Sequence, residues 1–96
     1  MGQPVVDRDK IVEICRSNGA TRVAMFGSFA RGEARPDSDL DLIVRFAEPT
    51  SLLTLVRIER ELSEALSREV DLLTEAAISP YMRDRILANL RVLYEA

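Results

Sequence analysis

Apolar positions change their spacing along the chain, and those changes divide it into elements. Over residues 5–17, Ile11, Ile14 and Cys15 recur at helical spacing and Asn18-Gly19 supplies a stop, which predicts a helix. Arg22-Val23-Ala24-Met25-Phe26 is a short apolar run broken at Gly27-Ser28, the pattern of a strand. The stretch from Phe29 to Asp37, with Gly32 and Pro36, predicts a turn of helix and then a loop. Asp39 to Phe46 alternates acids with aliphatics before turning fully apolar, a second strand. Glu48-Pro49-Thr50-Ser51 opens a helix running from Leu52 to about Arg68. Its apolar stripe is Leu52, Leu55, Val56, Leu62 and Leu66, with Arg57, Glu59, Arg60, Glu61, Glu64 and Arg68 assigned to the solvated side. Val70-Asp71-Leu72-Leu73 predicts a third strand, apolar enough to be central. Ser79-Pro80 starts a last helix, with Met82, Ile86, Leu87 and Leu90 as its buried face. Val92-Leu93-Tyr94 fits either the end of that helix or a short edge strand.

This order implies an α/β (α+β) domain, a small mixed sheet of three to four strands flanked by helices. The second and third strands, joined by a long helix, are expected to be parallel with a right-handed crossover. The first and second have a shorter connection and suit an antiparallel pair. Repeats, linkers and low-complexity tracts are absent from the sequence, so residues 1–96 are expected to form one domain.

Composition then removes most chemistries. With no histidine, imidazole acid–base catalysis, Ser-His-Asp triads and His-ligated zinc are excluded. One cysteine, Cys15, makes neither an internal disulfide nor a Cys-only zinc site, and its place on the first apolar stripe assigns it to core packing. Thirteen Lys+Arg against sixteen Asp+Glu give a net charge of −3. With no Trp, that leaves neither a basic footprint nor a stacking platform for direct nucleic-acid binding. The N-terminus lacks an apolar signal region and no stretch reaches membrane-spanning length, so a cytoplasmic protein is expected. Chemistry falls to carboxylates, hydroxyls, arginines, backbone amides or a bound metal.

Three features answer to that description. Asp39-Leu40-Asp41 places two carboxylates on one strand face, about 6.5–7 Å apart at the backbone, while Leu40, Leu42 and Val44 face the other way. Such a pair suits magnesium, which takes one or two carboxylates and completes its shell with phosphate oxygens and water; alone, it equally describes two solvated acids. Gly27-Ser28 presents amides and a hydroxyl where a strand meets a helical turn, a setting for phosphate, with Arg31 three residues on. Its plainer role is a helix cap. Asp71 requires a partner if its strand is central. A parallel third strand lays it beside Asp39 and Asp41, and three carboxylates fit a two-metal site. Pairing with an arginine such as Arg45 accounts for Asp71 equally well.

Together, Gly27-Ser28, ten intervening residues, Asp39-Leu40-Asp41 and a later strand-borne acid form the pattern G-S-x10-D-x-D…D. The stretch from Gly27 to Leu42 closely resembles the minimal nucleotidyltransferase (MNT) family, within the polymerase-β-like nucleotidyltransferases. The resemblance extends over nearly the whole chain and implies the nucleotidyltransferase fold. It further implies the antitoxin of a HEPN/MNT toxin–antitoxin pair, using ATP and Mg2+ to transfer AMP onto a tyrosine of its HEPN RNase partner. By the same resemblance, Asp39, Asp41 and Asp71 hold two metal ions, and Asp71 helps take the hydroxyl proton. Gly27 and Ser28 hold the departing pyrophosphate, and Arg31 contacts phosphate. Two other expectations stand beside this one: neutralisation of the toxin by binding alone, and the catalytic subunit of a small-molecule nucleotidyltransferase.

Overall fold

The computed structural model describes residues 4–96. Helix α1 (Arg8–Ser17) begins where the Asp7 carboxylate accepts the Lys10 N–H at 3.1 Å. Strand β1 (Ala20–Phe26) runs directly into α2 (Gly27–Arg31), and a loop leads to β2 (Leu40–Phe46). Helix α3 (Leu52–Leu66) is capped by the Ser51 hydroxyl. Next come β3 (Val70–Thr74), a single 3-10 turn (Glu75–Ala77), α4 (Pro80–Ala88) and β4 (Arg91–Glu95). Ser79 caps α4 with Pro80 at its first position, as expected.

The sheet has four strands in the order β3-β2-β1-β4. β1 pairs antiparallel with β2 and β4, and β2 pairs parallel with β3. The tail after α4 is therefore an edge strand, which resolves the ambiguity at Val92-Leu93-Tyr94. Its backbone is capped in turn, because Arg8 on α1 donates from Nε and Nη2 to the Leu93 carbonyl. β3 is the opposite edge rather than a central strand, which corrects the expectation drawn from its apolar content.

Alternation along the strands sends Val23, Met25, Leu40, Leu42, Val44, Val70 and Leu72 to one face. There they pack with Ile11 and Cys15 of α1, Phe29 of α2, and Ile58 and Leu62 of α3. The other face carries Ala24 and Ile43, which Ile86 of α4 covers. Asp41, two residues before Ile43, lies on this second face.

Three helix assignments change. The buried stripe of α3 runs through Leu55, Ile58, Leu62 and Leu66, at spacings of three and four, whereas Leu52 and Val56 are exposed. Glu59 is not on a solvated face: its Oε2 accepts the Leu72 N–H at 2.8 Å. On α4, Ile86 is buried but Met82 and Leu87 are exposed. Among the described residues no helix is long and apolar enough to cross a membrane.

Candidate active site

The site forms where β1 ends, β2 begins and β3 lies alongside. Parallel pairing sets Asp41 directly opposite Asp71, and antiparallel pairing sets it opposite Phe26, the residue before Gly27. The parallel pairing expected from the connecting helix is present, and its register brings Asp71 to Asp41. The competing pairing of Asp71 with Arg45 does not occur. Arg45 Nε donates instead to Glu75 Oε2 at 2.6 Å, and Arg22 Nη1 to Glu75 Oε1 at 2.7 Å. Burial opposes ionisation of Glu75, but these two guanidiniums bring its pKa below the ordinary carboxylate range.

Asp41 is half-buried, and its pKa is pushed up to about 6. Burial is the largest cause, followed by the negative charge of Asp71, a side-chain hydrogen bond with Asp71 and the charge of Asp39. The Arg31 guanidinium acts in the opposite direction. Arg31 therefore reaches the site electrostatically, although its Nε is bonded to Glu33 at 3.0 Å. Asp71 itself is exposed, on the opposite face of β3 from the buried Val70 and Leu72, so the solvent that reaches it supplies a partner. Asp39 precedes β2 by one residue and is also exposed.

Gly27 abuts the same carboxylate. Its φ is +73°, and a Cβ there would collide with Oδ2 of Asp41 and stand 3.2 Å from its Cγ. Both the backbone turn and the proximity demand glycine. Ser28 lies inside the first turn of α2, whose N-cap is Phe26. Ser28 is therefore not the cap of this helix.

Among the described residues no three acids are arranged to hold a metal ion by themselves. The strand register assembles Asp41 against Asp71, and Asp39 acts on Asp41 through its charge. Two acids sharing one site in this way favour a divalent cation, and magnesium in particular needs only one or two protein carboxylates.

A family model described as a nucleotidyltransferase domain matches residues 8–93. The chain belongs to the nucleotidyltransferase family. A relative from Methanocaldococcus jannaschii, bearing the name of a protein adenylyltransferase, is 49% identical over 78 residues, covering 81% of this chain and 84% of its own length. The protein adenylyltransferase MntA of Thermococcus cleftensis is 36% identical over 69 residues, covering 72% of this chain and 70% of its own. The nucleotidyltransferase fold also recurs in solved structures. A toxin–antitoxin complex with AMP-PNP superposes with a TM-score of 0.86 at 22% identity, covering 95% of this chain and 75% of the other. The MNT antitoxin bound to a tri-AMPylated HEPN toxin of Shewanella oneidensis gives 0.76 at 21% identity, covering 93% and 70%.

Sequence reasoning missed Glu59, Ser63 and Arg68, which hold the backbone beside the site. Ser63 Oγ accepts the Val70 N–H at 3.1 Å and Glu59 the Leu72 N–H, one on each side of Asp71. Arg68 donates to two carbonyls of the loop before Asp39. All three are ordinary polar residues of a charged helix and its exit, so no local signal marks them.

Proposed function

We propose that this nucleotidyltransferase is a cytoplasmic antitoxin that transfers AMP from ATP to a tyrosine of a HEPN-family RNase toxin, in a magnesium-dependent reaction. The observation that carries the chemistry is the contact of Asp41 with Asp71 against Gly27. It gathers negative charge where a glycine lets a ligand approach the backbone. The AMPylated HEPN toxin of the fold neighbour and the names of the sequence relatives support the choice of acceptor.

The transfer is an in-line displacement at the α-phosphorus. A P–O bond forms to the tyrosine oxygen, the bond to pyrophosphate breaks, and the phenolic proton must be accepted. We assign that role to Asp71, which is exposed and stands opposite Asp41 in the parallel register. Asp41 and Asp39, with Asp71, are the residues that would hold magnesium, which when bound neutralises charge on the triphosphate. The amide of Gly27 and the hydroxyl of Ser28 orient the departing pyrophosphate, and Arg31 adds positive charge nearby. Positioning and charge neutralisation supply most of the acceleration in such transfers.

Incubation of the protein with a cognate HEPN toxin, magnesium and α-labelled ATP tests this reading. Label on a toxin tyrosine, accompanied by loss of RNase activity, is expected. RNase inhibition with no label on any tyrosine would overturn it in favour of neutralisation by binding.

A further inference from the structure

Arg68 leaves α3 through Ser67, whose φ of 51° places it in the left-handed region, and its own N–H closes back on the Ser63 carbonyl at 3.2 Å. The half-buried side chain then crosses to the loop before β2. Its Nη1 donates to the carbonyl of Pro36 at 3.0 Å and to that of Ser38 at 2.7 Å. Its Cζ stands 5.1 Å from the ring centroid of Phe29, a fully buried residue of α2 two positions after Gly27. One side chain therefore touches both halves of the motif, the helix that carries Gly27-Ser28 and the loop that delivers Asp39.

The loop itself is compact. Arg35 N–H donates to Ser38 Oγ at 2.8 Å, and Ser38 N–H donates to the Arg35 carbonyl at 3.0 Å. The neighbouring Glu69 carbonyl accepts the Leu40 N–H at 2.9 Å, fixing the first residue of β2. The guanidinium joins this closed turn to α2, through charge-assisted bonds to its carbonyls and a stacked contact with the Phe29 ring.

We propose that Arg68 is a positioning residue, setting where Asp39 and Asp41 stand relative to Gly27-Ser28. It acts through the loop, by its bonds to the Pro36 and Ser38 carbonyls. Its kinetic consequence rests on the AMP-transfer reading above; its structural consequence does not. A carboxylate displaced by about 1 Å loses on the order of a hundredfold in rate, so the effect belongs in kcat more than in the affinity for ATP.

The test compares full-length Arg68→Gln and Arg68→Lys with the parent by thermal melting, amide hydrogen exchange, and AMP transfer with kcat and KM for ATP separated. Arg68→Gln is expected to fold, with the Ser38 amide exchanging at least about tenfold faster and the α1 amides unchanged. Its kcat is expected to fall about 10–100-fold, with KM within about threefold of the parent. Arg68→Lys, which keeps the charge and loses the planar fork, is expected to fall between the two. If Arg68→Gln does not fold, Arg68→Lys carries the same comparison. Unchanged exchange at Ser38, a rise in KM alone, or a rate loss equal to the unfolded fraction would each overturn the proposal. A parent protein that labels no tyrosine overturns the proposed function, while the exchange comparison still decides the role of Arg68.

Discussion

Asp41 shows how a single side chain can trade stability for function. An ordinary aspartate titrates near 3.8, while in the folded chain this one titrates near 6. Between those values the folded state holds a proton that the unfolded state has released. The Asp41 contribution thus favours folding in acid and is lost as pH rises through about 6. Asp41→Asn removes that penalty. Thermal melting should show the variant more stable than the parent at pH 8, with the difference vanishing near pH 4, while AMP transfer falls at least about a hundredfold. Gly27 and Gly32 allow a second comparison, because both have φ near +73° but differ in surroundings. A Cβ on Gly32 meets nothing within 4 Å, whereas one on Gly27 strikes Asp41. Gly32→Ala should cost about 1–2 kcal/mol of backbone strain and leave transfer intact. Gly27→Ala should add the collision with Asp41 to that strain, so that it is the more destabilising of the two, and lose activity as well, measured by urea unfolding and by labelled-ATP transfer. Asp39, Asp41, Gly27 and Ser28 were legible in the sequence as candidates, because strand alternation and the ten-residue interval single them out.

The weak points among the elements are the edge strands. β3 carries Asp71, and its outward N–H groups at Val70 and Leu72 are accepted by side chains of α3. Edges left open invite pairing with other chains, and an N–H deprived of its acceptor costs about 1–3 kcal/mol. Glu59→Ala should therefore lower unfolding stability by that amount, whereas Glu64→Ala, at an exposed position of the same helix, should stay within about 0.5 kcal/mol. Denaturant titration separates the two. Periodicity placed the helices well and misjudged their faces. Leu52 and Val56 fit an apolar pattern yet stand in solvent, while Ile58 is wholly buried. Met82 and Leu87 repeat the error on α4. Hydrophobic spacing identifies residues that share a side of a helix; it does not say that a neighbour exists to cover them.

At the scale of the molecule, two faces of one sheet have different tasks. The face under α1 and α3 holds most of the core, and Cys15 is sealed within it at 1% exposure. Burial, with a smaller push from the charge of Glu61, raises its thiol to about 12. A thiol reagent at pH 8 should therefore leave the native protein unlabelled and react as soon as denaturant unfolds it; prompt labelling of the folded chain would contradict this packing. The second face is divided along its length. Acids gather at the Gly27 end, Ala24 and Ile43 lie under Ile86, and Arg22, Arg45 and Glu75 form an ion-paired cluster beyond them.

The sequence by itself determined the elements, the family resemblance and the candidate groups. A chain without histidine and with a single cysteine leaves carboxylates and backbone as its chemistry, and the interval from Gly27-Ser28 to Asp39 is written in one dimension. The parallel pairing of β2 with β3 was also readable, since a long helix between two strands constrains their direction. Tertiary structure alone decided that β3 is an edge, that the tail is a strand, and that Arg45 pairs with Glu75 and leaves Asp71 to Asp41. It alone brought Arg68 to the Asp39 loop, thirty residues back along the chain. Those contacts depend on which surfaces meet after the chain closes, and polar residues on a helix carry no periodic mark of the backbone they will hold.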